Sequence, residues 1–148
     1  MLLLVPIVVF FGYILGILLK KYIPEEQKAT EPYLFWIRTI LLAILIITLL
    51  YTSFSFSFVS LFFFLAGIGV AFFFKETYFY LGLSLLTLEF LPAVVCFLYG
   101  LCTGERKNSF KNALLFFCPF LLFLLPLDLI QLKIFAAGSL LILFFKKR

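Results

Sequence analysis

Six apolar blocks separated by short polar seams run along the chain, at about 2–19, 34–51, 58–74, 78–102, 112–127 and 129–145. All but 112–127 fall in the range of about 17–25 residues that a helix needs to cross a hydrocarbon core of about 30 Å, with 58–74 and 129–145 at its lower edge. In lipid, only helices and closed barrels satisfy every backbone hydrogen bond, and barrel strands alternate polar and apolar residues for about ten at a time. One stretch alternates, Ser53-Phe54-Ser55-Phe56-Ser57-Phe58, but it lies between two long apolar runs and reads as an interfacial connection. The pattern predicts an all-α fold, a polytopic integral membrane helical bundle of about six transmembrane helices in a single domain, 1–148. The last two blocks are short, about 24–26 Å each at the helical rise. They meet at Pro126-Leu127-Asp128, a helix breaker that predicts a tight hairpin between them.

Composition strengthens this reading. The chain is 66% apolar and 13% charged, with mean hydropathy +1.25, against roughly half and a quarter for a soluble domain. A water-facing surface cannot be assembled from it. The formal net charge of +5 does not point to nucleic acid, because the basic residues sit at block ends, as in Lys20-Lys21, Arg106-Lys107 and Lys146-Lys147-Arg148. Such placement anchors helices at lipid headgroups and sets topology. The implied partner is the bilayer, with a homo-oligomer or another membrane subunit as a further partner. The expected location is the cell membrane.

Orientation depends on the fourth block. With six crossings, Lys20, Lys21, Lys28, Arg38, Lys75 and Lys133 fall on one side, and Arg106, Lys107, Lys111, Lys146, Lys147 and Arg148 on the other. The positive-inside rule does not separate two sides so evenly charged, and Lys20-Lys21 after the first helix then favour an outside N-terminus. The alternative is five crossings plus a re-entrant hairpin, with block 78–102 returning at Pro92. Every basic residue except Lys133 then shares one side. The full length of the block favours the crossing.

Glu89 is the charge that stands out, alone between Glu76 and Glu105. Carboxylates inside an apolar span are costly and are kept for structural or functional reasons. On one continuous helix its face would include Gly82, Leu85, Pro92, Ala93, Cys96 and Gly100, mostly small residues, so Glu89 is expected to face a neighbouring helix. Pro92 would free the Leu88 carbonyl to accept a hydrogen bond from a protonated Glu89. Arg38, about 6 Å deep where Glu89 is about 16 Å deep, is expected to snorkel back to the headgroups, with pairing to Glu89 as the alternative if the two helices adjoin. Glu89, Arg38 and Pro92 thus form the candidate intramembrane polar site, and Asp128 with Lys133 a candidate cavity entrance. Gly12 and Gly16, in G-x-x-x-G spacing, and Gly67 with Ala71 are candidate helix-packing positions, with packing inside the chain favoured over a dimer face.

Catalytic and metal chemistry find little support. There is no histidine, which removes the commonest metal ligand and general base. Cys96, Cys102 and Cys118 form no metal-type spacing and read as small apolar residues. Glu25-Glu26 resemble the paired glutamates of intramembrane prenyl proteases, a family that also requires intramembrane histidines. The segment Lys20–Tyr33 around them reads as a solvated loop. No cofactor is implied, and the lack of a recognisable catalytic or nucleotide-binding motif leans against an enzyme without deciding the matter. Three functions follow in order. The first is a structural or assembly component, with Glu89 as interhelical glue worth about 0.6–2 kcal/mol. The second is a small proton- or cation-linked transporter or channel using Glu89, and the third is a lipid-modifying enzyme.

Overall fold

The structure, a computed structural model, describes residues 4–53, 57–86, 89–103, 108–124 and 128–146, without the side chains of 24–28, 122–124 and 146. The described residues form seven α-helices and no strand. They are α1 (Leu4–Tyr22), α2 (Pro24–Ser53), α3 (Phe58–Phe73), α4 (Thr77–Ser84), α5 (Phe90–Thr103), α6 (Ser109–Phe117) and α7 (Leu129–Lys146). A 3₁₀ segment, Cys118–Leu124, continues α6. Pro119 accounts for that change, since it has no N–H to extend the α-helical ladder.

Two elements differ from the sequence expectation. The segment Lys20–Tyr33, expected as a solvated loop, is largely helical, because α2 starts at Pro24. Proline suits a first helical position, where its missing N–H has no intrahelical partner to lose. The second correction concerns block 78–102, which is not one helix. It divides into α4 and α5 around residues 85–89. A continuous helix would lose the hydrogen bond from Pro92 to residue 88. Starting α5 at Phe90 instead puts Pro92 in the first turn, where an N–H has no intrahelical partner anyway. Residues 54–56, 87–88, 104–107, 125–127 and 147–148 lie outside the described set, and with them the centre of the Ser-Phe alternation, the Leu88 carbonyl, Arg106-Lys107 and Pro126-Leu127.

The two halves of the divided block lie side by side. Ser84 Oγ donates to the Leu81 carbonyl at 2.7 Å and so accepts from the Cys96 thiol at 3.6 Å. At the other end, the Tyr78 hydroxyl and Thr103 Oγ1 are 2.6 Å apart. The Thr103 hydroxyl gives its hydrogen to the Tyr99 carbonyl at 2.8 Å, so Tyr78 is the donor in that pair. The start of α4 and the end of α5 therefore sit together, and the block is a helical hairpin.

The most extensive helix pairs are α1 against α5 and α3 against α7, and α2 packs against both α5 and α7. Small residues permit the first two close approaches. A Cβ added to Gly12 would lie 2.5 Å from the Phe97 carbonyl oxygen, and one on Gly16 2.5 Å from that of Leu101. The register advances by four on both helices, so α1 and α5 run parallel. A Cβ on Gly67 would lie 2.2 Å from the Phe135 carbonyl oxygen, and the Gly67 carbonyl accepts from Ser139 Oγ at 2.9 Å. Ala71, Ala136, Ala137 and Ser139 are fully buried beside this contact. Gly69, on the other side of α3, has nothing within 4 Å of an added Cβ.

The outer surface is strongly apolar, with Ile47, Tyr51, Phe58, Phe62, Phe73, Phe90 and Phe110 among many large exposed side chains. Among the described residues two helices are long and apolar enough to cross a membrane, Leu4–Tyr22 and the Ala29–Ser53 part of α2. Four further apolar helical stretches, Phe58–Phe73, Phe90–Thr103, Ser109–Leu121 and Leu129–Phe145, are shorter, at 10–17 residues, so six full-length crossings are not what the helix lengths show.

Candidate functional site

Charges gather at the two ends of the α4–α5 hairpin. At its turn, Glu89 immediately precedes α5, and its carbonyl accepts the Ala93 N–H at 3.2 Å. Pro92 and Ala93 are buried in that first turn. The carboxylate Oε1 contacts Lys133 Nζ in an ion pair. Lys133 is one turn into α7, and its side chain is 4% exposed against 37% for Glu89. The start of α5 also adjoins the start of α1, since Leu4, Val5 and Val8 share an apolar groove with Phe90, Ala93 and Val94. From there α5 climbs about 21 Å to Thr103. Glu89 thus lies near an end of the bundle rather than at its middle.

The expected grouping of site residues changes accordingly. Lys133, expected at a cavity entrance with Asp128, is the counter-ion of Glu89. Asp128 instead opens α7, accepting the Ile130 N–H at 3.0 Å through Oδ1, an ordinary N-terminal cap. Arg38 is at the opposite end of α5. Its Nε donates to the Cys102 carbonyl at 3.0 Å, where a helix C-terminus favours a cation. Its Nη2 lies 3.4 Å from Glu31 Oε1, yet that atom is buried and makes no hydrogen bond among the described residues. A single helix through block 78–102 would have put Arg38 within reach of Glu89. The hairpin separates them.

Arg38 lines a polar cavity of about 180 Å³ with Lys75, Glu76, Thr77, Tyr78, Tyr99, Thr103, Asn108 and Asn112. Four elements converge to build it: the start of α4, the end of α5, the start of α6 and the Arg38 turn of α2. Asn112 is buried, and its Nδ2 donates to the Tyr13 hydroxyl at 2.9 Å. The Tyr13 and Tyr78 rings meet edge-on, centroids 5.0 Å apart. Glu76 is occupied by Lys111, Nζ to Oε1 2.5 Å, whereas Lys75 is exposed. The cavity therefore presents two cationic side chains, two amides and four hydroxyls. The carboxylate among its lining residues is already paired.

Sequence reasoning missed most of this cavity. The available signals were faint: Tyr78 and Thr103 bracket one apolar block, and Asn112 is a lone amide at the start of another. Each looks like an interfacial residue until the hairpin brings them to one place. Chemically the arrangement is suited to holding an anionic group by donors, and no nucleophile–base pair stands in it among the described residues. Comparison with protein-family models, curated proteins and solved structures finds no match to this chain.

Proposed function

We propose that this chain is a multi-pass membrane protein acting as a structural or partner-holding component of a membrane complex, with Glu89 serving the fold rather than a transport path. The supporting observation is the ion pair: the carboxylate expected to bind a proton or cation is engaged by a nearly buried lysine. The G-x-x-x-G positions Gly12 and Gly16 are also consumed inside the chain, against α5. A partner would therefore meet the exposed apolar faces of α2 and α3, where Ile47, Tyr51, Phe62 and Phe73 stand out.

The same reading orients the protein. The start of α4 and the end of α5 lie together, so α4 and α5 descend from and return to one side. By sequence position, the segments joined there carry eleven of the twelve Lys and Arg residues, all except Lys133. Five of the seven acidic residues lie on that side as well, so the net charges are 11 − 5 = +6 there and 1 − 2 = −1 at the Glu89 end, summing to the overall +5. Positive charge marks the cytoplasmic side, which puts the N-terminus outside and the cavity inside.

The test is a flux measurement. Purified protein in vesicles under an imposed pH gradient, with sodium or potassium outside, should leave the gradient decaying as in protein-free vesicles. A leak that appears with the wild-type chain and disappears in Glu89→Gln would establish the transporter instead.

A further inference from the structure

The cavity at the basic end is built to receive something, and we infer that it is an oxyanion site for a phosphate-type group. Arg38 brings a full charge to its wall on a side chain only 18% exposed. Nε is spent on the Cys102 carbonyl, while the buried Nη2, in an ion pair with Glu31 Oε1 at 3.4 Å, makes no hydrogen bond among the described residues. A buried guanidinium nitrogen in that state has lost water without a full replacement, a cost that an acceptor placed in the cavity would remove. Lys75 adds a second, exposed cation on the rim, and Lys111 neutralises Glu76, the one lining carboxylate among the described residues.

The neutral lining points the same way. Asn108, Asn112 and Thr77 add amide and hydroxyl groups to its lining. The first turns of α4 and α6 open onto this space, and their capping residues Glu76 and Asn108 make no side-chain cap bond. Helix N-termini add partial positive charge to a site already cationic. A volume of about 180 Å³ holds a phosphate with a short polar ester substituent. Such a group arrives either as a soluble phosphate or as the headgroup of an anionic lipid. Recognition of the oxyanion is the same in both cases.

This site shares no residue with the Glu89–Lys133 pair, so it stands or falls separately from the flux assay. Full-length protein in neutral detergent is titrated with inorganic phosphate, chloride holding the ionic strength constant, and with phosphatidylglycerol against phosphatidylcholine. The unfolding midpoint is followed throughout. Phosphate or phosphatidylglycerol should raise the wild-type midpoint by about 2–4 °C near saturation. A response to phosphate identifies the soluble source, and a response to phosphatidylglycerol alone identifies the lipid. In Arg38→Gln the response should vanish, and in Lys75→Gln, an exposed position that leaves the fold intact, the affinity should drop several-fold. No wild-type response to either probe, or an unchanged response in Lys75→Gln, would overturn the site.

Discussion

The two ends of the α4–α5 hairpin hold charge in opposite ways. At the turn, one carboxylate and one ammonium close on each other, and the more deeply buried partner is the lysine. At the open end, Arg38 and Lys75 line the cavity beside a carboxylate that Lys111 already holds, and the Arg38 nitrogen 3.4 Å from Glu31 makes no hydrogen bond among the described residues. The first arrangement is self-sufficient and serves the fold. The second is incomplete in a way that a ligand completes. A charge within an apolar block is thus informative only once its partner is known.

Both ends depend on the close helix pairs, so the largest effect should come from breaking one of them. Gly67→Leu drives a side chain into the Phe135 backbone and should cost about 3 kcal/mol or more, read as loss of the folded fraction in denaturant. Gly69→Leu, facing open space on the same helix, should stay within about 0.5 kcal/mol of wild type. Equal effects at both positions would mean that α3 does not pack through Gly67.

The closed end should respond asymmetrically. Glu89→Gln strands a nearly buried ammonium and should cost about 3 kcal/mol, as when buried pairs lose one partner. Lys133→Met leaves only a carboxylate that is 37% exposed, so its cost should be smaller, and the double variant should recover much of the Glu89→Gln loss. A double variant less stable than Glu89→Gln would show that the charges are not coupled. At the open end, Arg38→Gln gives up a charged hydrogen bond to Cys102 worth about 1.5–3 kcal/mol, partly offset because Nη2 had no hydrogen bond to lose among the described residues. Among the charge variants, the smallest effect belongs to Lys111→Ala. Its pair with Glu76 is largely exposed and should contribute at most about 1 kcal/mol, screened by salt.

Helix content was legible in the sequence because long apolar runs leave the backbone few alternatives. Where those runs turn was not. Block 78–102 has the length of a single span, and only Pro92 hinted at a break. A proline ends a helix before itself or sits comfortably in a first turn, and tertiary contacts such as Tyr78 to Thr103 decide between these. Glu89 was recognisable as a charge that needs a partner. The identity of that partner was not, because Lys133 is 44 residues away and becomes a neighbour only when α7 starts beside the turn. The start of α2 was obscured for a different reason. Charged residues in a short seam look like loop, although Glu, Gln, Lys and Ala are strong helix formers.

The central claim is that the fourth apolar block returns to the side it came from. Single cysteines at Thr77, Ser109 and Asp128, in a chain whose three native cysteines are replaced by alanine, test this directly with a membrane-impermeant thiol reagent in sealed vesicles. Positions 77 and 109 should label from the same side and position 128 from the opposite one. Labelling of 77 and 109 from opposite sides would contradict the hairpin and restore the single crossing.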